Sequence, residues 1–93
     1  MNDDKDISQE SLIKFPCDFT IKVFGANTDE FEKTILAMIK KHLTHPDKHS
    51  LTARKSENSK YIALSITVYV DSKPQLDRIY QDLSSSPIVL MAL

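Results

Sequence analysis

Residues 61–70 read Tyr-Ile-Ala-Leu-Ser-Ile-Thr-Val-Tyr-Val, and this run constrains the fold more than any other part of the chain. In an extended backbone Ile62, Leu64, Ile66, Val68 and Val70 point to one side, and Tyr61, Ala63, Ser65, Thr67 and Tyr69 to the other. A helix would scatter the five aliphatic side chains around its circumference, whereas a period of two collects them on one face. Five β-branched residues and two tyrosines in ten suit a pleated surface. The segment is therefore a long strand with one buried face. Its backbone needs partner strands and its apolar face needs a covering layer.

The rest of the chain supplies both. Phe19, Ile21 and Val23 alternate with Thr20, Lys22 and Phe24, which predicts a second strand. Gly25, the only glycine, closes that strand and points to a turn with positive φ or a close backbone approach. Asn27 with Glu30 reads as a capping box, Thr28 being the alternative cap. Phe31, Ile35, Met38, Ile39 and His42 then recur at helical spacing. Asp29, Glu30 and Glu32 at one end and Lys40, Lys41 and His42 at the other complement the helix dipole, and Pro46 forbids continuation. Residues 50–56 alternate weakly and suit an edge strand guarded by Arg54 and Lys55. After Asp71, Ser72 and Gln75 form a second capping box with Pro74 in the first turn, and Leu76, Ile79, Tyr80 and Leu83 make a short amphipathic helix. Ser84-Ser85-Ser86-Pro87 ends it. Residues 88–93 are continuously apolar, which predicts a last strand buried or nearly so on both faces.

The order β-α-β-β-α-β, with two one-striped helices, specifies an α/β (α+β sandwich) domain. Both helices lie on one face of a four-stranded antiparallel sheet of spatial order 4-1-3-2, the ferredoxin-like arrangement. The expected core is Phe19, Ile21, Val23, Ile35, Met38, Ile39, Leu64, Ile66, Val68, Leu76, Ile79 and Leu83. Ninety-three residues support one such domain, assigned to residues 12–93. Residues 1–11 are polar and aperiodic and carry a net charge of −3 through residue 13 (Asp3, Asp4, Asp6 and Glu10 against Lys5), the composition of a disordered acidic tail. This arrangement brings the 25–28 turn, the 56–60 hairpin and the 84–87 connection to one end of the sheet. Residues 40–49 and the Asp71–Ser72 corner go to the other.

No apolar run approaches the ~20 residues of a membrane span. The acidic opening lacks the apolar core of a secretory signal, and a lone Cys17 forms no internal disulfide, so the expected compartment is the cytoplasm. Residues 40–60 carry a net +4, but the fold divides those charges between opposite ends of the sheet. Nucleic acid therefore ranks below other partners.

Several motifs are similar to those of a known family. Leu12-Ile13-Lys14-Phe15-Pro16, Phe19 and Lys22-Val23-Phe24-Gly25 resemble the opening of the YbeD-like family of small bacterial proteins. Tyr61, Ser65-Ile66-Thr67, Ile79-Tyr80, Leu83, Ile88-Val89 and Met91-Ala92-Leu93 resemble its second half. The resemblance implies a ferredoxin-like fold akin to the ACT-type regulatory domains of amino-acid metabolic enzymes. It also implies the regulatory, lipoic-acid-binding role by which the family is commonly labelled. The chain departs from the family pattern at residues 45–49, which are richer in histidine and poorer in glycine.

For chemistry, His42, His45 and His49 have helical spacing, but Pro46 interrupts them and no cysteine joins them, so they read as a helix C-terminus and a polar loop. Cys17 has no nearby base in sequence and reads as an inert thiol. Asp71, Asp77 and Asp82 read as capping or surface carboxylates. No phosphate-cradling or nucleophile-elbow motif occurs. The expectation is a non-catalytic regulatory or interaction module of bacterial metabolism, with no cofactor and no metal. Two sites are expected. The open face of the sheet would use Lys22, Phe24, Tyr61, Thr67 and Tyr69 to contact a partner protein, or less readily a single-stranded nucleic acid. The turn at Gly25, Asn27 and Thr28, where a helix begins, would hold a small carboxylate. Homodimerisation through the open face and the last strand is a further option.

Overall fold

The computed structural model describes residues 14–93. The acidic tail and the domain boundary at Leu12 lie outside the described residues. The elements are β1 (Cys17–Ala26), α1 (Asp29–Lys40), β2 (His49–Lys55), β3 (Tyr61–Val70), α2 (Lys73–Ser85) and β4 (Val89–Ala92). The strands form one antiparallel sheet in the order β2-β3-β1-β4, the ferredoxin-like order expected.

Alternation in β3 places all five aliphatics against the helices, where Leu64, Ile66, Val68 and Val70 are wholly buried. β1 pairs with β3 over ten positions, from Cys17 opposite Val70 to Ala26 opposite Tyr61. Ile21 and Val23 thereby join the same buried face. Phe31, Ile35 and Ile39 of α1 and Leu76, Ile79 and Leu83 of α2 cover it. Phe19 and Met38 sit at the core's margin rather than inside it, while Phe31, Leu43, Ile62 and Val70 are further core members. Phe19 meets the ring of Tyr80 edge-to-face at 6.5 Å.

Four local expectations need correction. Gly25 is not a turn residue: it lies inside β1, paired with Ile62 and Val89, and its φ is not positive. Its role is close approach, because a Cβ there would lie 2.2 Å from Cε1 and 2.4 Å from Cζ of Phe31. Asn27 does not cap α1. Thr28 occupies the N-cap without a side-chain bond, and the Asn27 amide instead donates to the Ser59 carbonyl at 2.9 Å. That bond ties the first connection to the β2–β3 hairpin, where Ser59 adopts a left-handed φ of 59°. α2 runs through Ser84 and Ser85 before stopping. Lastly, β4 is not buried on both faces: Ile88, Leu90, Met91 and Leu93 are 41–66 % exposed. An apolar run predicts burial only for an interior strand, and β4 is an edge bonded to β1 alone.

Only half of the second capping box forms: Ser72 Oγ accepts from the Gln75 N–H at 3.4 Å, but the Gln75 side chain reaches past the Ser72 N–H to that of Asp71. Gln75 itself is buried and links three segments. Its Oε1 accepts from the Asp71 N–H at 2.6 Å, and its Nε2 donates to the His42 carbonyl at 2.8 Å and to the Thr44 hydroxyl at 3.4 Å.

Candidate functional site

Both helices lie on one face of the sheet, so the other face is presented to solvent. There Thr20, Lys22 and Phe24 of β1 stand opposite Thr67, Ser65 and Ala63 of β3. β2 adds Thr52 beside Ser65 and Arg54 beside Ala63. The half-buried ring of Phe24 separates two shallow depressions. One, about 290 Å³, is bounded by Phe24, Tyr61, Ala63, Arg54, Lys55 and Ser56. The other, about 480 Å³, is bounded by Lys22, Phe24, Ser65 and residues 52–54. Their linings include Lys22, Arg54 and Lys55 but no carboxylate. The furrow thus combines an aromatic floor with basic rims, a combination suited to an apolar group that carries negative charge.

The five residues expected on this face do not act as one cluster. Lys22, Phe24 and Tyr61 gather around the furrow. Thr67 is committed to a hydroxyl–hydroxyl bond with Thr20 at 2.8 Å. Tyr69 lies eight residues from Tyr61 along β3, about 27 Å away at strand rise. Its ring is contacted by His45, edge-to-face at 5.6 Å, and by the Lys48 ammonium 4.8 Å from the centroid. Arg54 belongs to the furrow although sequence reasoning assigned it only an edge-guarding role; its register opposite Ala63 is the signal that would have found it.

At the other expected site, the space beside Gly25 is taken by the Phe31 ring, so no ligand approaches the backbone there. Asn27 and Thr28 border a depression of about 440 Å³ that also contains Asp29, Glu32, Lys33 and Lys55. The free N–H groups of α1 are thus already accompanied by carboxylates in its first turn. The expected meeting of this connection with the 56–60 hairpin does occur, through the Asn27 N–H to Lys60 carbonyl bond at 3.0 Å.

The three histidines go separate ways. His42 Nε2 is 2.5 Å from Asp82 Oδ2, His45 packs on Tyr69, and His49 Nδ1 bonds the Pro46 carbonyl at 2.7 Å. Among the described residues no three His, Cys, Asp or Glu side chains converge in a metal-binding group. Asp82, read from sequence as a capping or surface carboxylate, also receives the Lys41 ammonium at 3.2 Å. These hydrogen bonds, His42's first, hold its carboxyl below the ordinary carboxylate range. The link joins the end of α1 to α2 across 40 positions, a separation that no local spacing reveals. Cys17 is half-buried at the start of β1. Among the described residues no helix is long and apolar enough to cross a membrane.

Comparison with known proteins bears on family and fold. A family model described as "Protein of unknown function (DUF493)" matches residues 10–93. A UPF0250 protein of Nitrosomonas europaea is 38% identical over 87 residues, covering 94% of this chain and 100% of that protein. A UPF0250 protein of Neisseria gonorrhoeae is 37% identical over 86 residues, covering 92% and 94%. Among solved structures, the solution structure of protein HP0495 from H. pylori is similar with a TM-score of 0.66 and 20% identity. That likeness covers 87% of this chain and 85% of that chain, and it concerns the fold alone.

Proposed function

We propose that this chain, which belongs to the DUF493 family of proteins of unknown function, is a non-catalytic interaction and regulatory module of bacterial metabolism. The family is the one to which the YbeD-like motifs pointed. In this reading the open sheet face binds an apolar group bearing negative charge, presented by a partner protein or by a small carboxylate effector. The observation that carries it is the furrow around Phe24, with its aromatic floor, its Lys22 and Arg54 rims and no lining carboxylate. The 25–28 turn is the weaker place for a carboxylate, because Asp29, Glu30 and Glu32 crowd the start of α1. Single-stranded nucleic acid is the competing occupant, since stacking aromatics and cations also suit it. Separation of Tyr69 from Phe24 and Tyr61 removes one of the three expected stacking rings and favours the protein reading.

The test is affinity capture from bacterial lysate with the full chain and with its Lys22→Glu/Phe24→Asp variant, followed by titration of the captured species against salt. One protein is expected to co-purify and to fall at least about tenfold with the variant, the loss typical of an aromatic anchor. Equal capture by both forms overturns the proposal. So does capture of RNA that is released steeply with salt, the signature of phosphate contacts.

A further inference from the structure

From the unguarded edge at β4 we infer that this chain pairs with a second copy of itself, β4 against β4′, extending the two four-stranded sheets into one. Four of the five large apolar side chains that stand exposed among the described residues belong to this segment: Ile88 at 41 %, Leu90 at 66 %, Met91 at 53 % and Leu93 at 60 %. The two edges of the sheet differ sharply. β2 carries exposed Arg54 and Lys55, whose charges oppose edge-to-edge association. Residues 88–93 contain no charged side chain and no proline.

The backbone supplies the geometry. Lys22 and Leu93 exchange both of their backbone hydrogen bonds, at 3.0 and 2.8 Å. In an antiparallel ladder such pairs alternate with positions whose N–H and C=O point away. Ala92, opposite Val23, is one of those, so its amide faces the open edge. The register shift against β1 between Phe24 and Gly25 leaves Leu90 as the extra residue of β4, where it stands farthest into solvent.

A second copy fits this edge on two grounds. A strand without charged side chains meets itself across a two-fold axis without side-chain repulsion, whereas two β2 edges would bring Arg54 and Lys55 against their own images. With four side chains 41–66 % exposed, the pair could bury at most on the order of 800 Å², below the size of standard specific interfaces, which predicts a weak, reversible, concentration-dependent dimer.

Sedimentation of the purified full chain over a wide concentration range tests this, with Leu90→Lys, Met91→Lys and the β2-edge control Thr52→Lys. The wild type and the β2 control are expected to dimerise alike. Each β4 variant places two ammonium groups across the axis and should weaken the dimer by on the order of a hundredfold. Amide exchange at Ala92 should slow as wild-type concentration rises, and should not in Leu90→Lys. A chain that stays monomeric at millimolar concentration overturns the inference, as does a dimer indifferent to both β4 substitutions or Ala92 exchange independent of concentration. Only purified protein is present, so this outcome is separate from whether the Phe24 furrow binds a partner.

Discussion

Replacing Gly25 by Ala adds one methyl group to a place already filled. The new Cβ would lie 2.2 and 2.4 Å from Cε1 and Cζ of Phe31, and 2.9 Å from the backbone carbonyl oxygen of Ile88. Phe31 is 2 % exposed, so its ring can yield only by displacing other core atoms, and the carbonyl can yield only if the start of β4 moves. Overpacking of this kind costs about 1–3 kcal/mol. Against it stands a gain of roughly 0.4–1 kcal/mol, because alanine restricts the unfolded chain more than glycine does. The expected net effect is a loss of about 1–2 kcal/mol, or a fall in Tm of roughly 5–15 °C for a domain of this size. Urea denaturation of the wild type, Gly25→Ala, Phe31→Leu and the double variant measures it. Phe31→Leu withdraws the ring atoms responsible, so Gly25→Ala should cost at least ~0.5 kcal/mol less in that background. Two results refute the reasoning: a neutral or stabilising Gly25→Ala, or an equal cost in both backgrounds.

Gln75→Ala would strand the Asp71 N–H and the His42 carbonyl, costing about 2–3 kcal/mol by denaturation and speeding amide exchange at Asp71. Asp82 should make stability depend on acid. Its carboxyl is depressed below the ordinary value of 3.8, so its contribution is present above that value and is lost as pH falls through the lower folded-state value. Unfolding midpoints measured across that acidic range should fall less steeply for Asp82→Asn than for the wild type, and identical slopes would exclude the link.

How much of this could be read in advance depended on whether the cause was local. β3 was legible to the residue because a period of two is a property of ten adjacent side chains. α1, α2 and the Ser72 cap were legible because their signals are likewise local. The strand order followed from stacking two one-striped helices on one face. What failed was decided by distant neighbours. Asn27 has the chemistry of a cap, but the Ser59 carbonyl offers it another partner. Of the two roles open to Gly25, turn or close approach, its neighbours could not choose, because nothing local shows that Phe31 will occupy its missing side chain. The run at 88–93 was read as buried because apolar content does not distinguish an interior strand from an edge one. At the candidate site, Lys22, Phe24 and Tyr61 were identified by their parity in the strands. Arg54 needed the β2–β3 register, and the loss of Tyr69 needed the path of the 41–48 loop.

β1 is bonded to β3 on one side and to β4 on the other, and both partners come later in the chain. On the ribosome this reverses the usual convenience of local pairing. Among the described strands the first to be synthesised is the one whose two sheet neighbours emerge third and fourth, since Phe24 must wait for Ala63 and then for Met91. The β2–β3 hairpin can close as soon as it emerges, offering β1 its first template. Until Val89–Ala92 appears, however, one side of β1 stays open, and in that interval a nascent chain exposes Ile21, Val23 and their backbone to whatever chaperone or neighbouring chain is within reach.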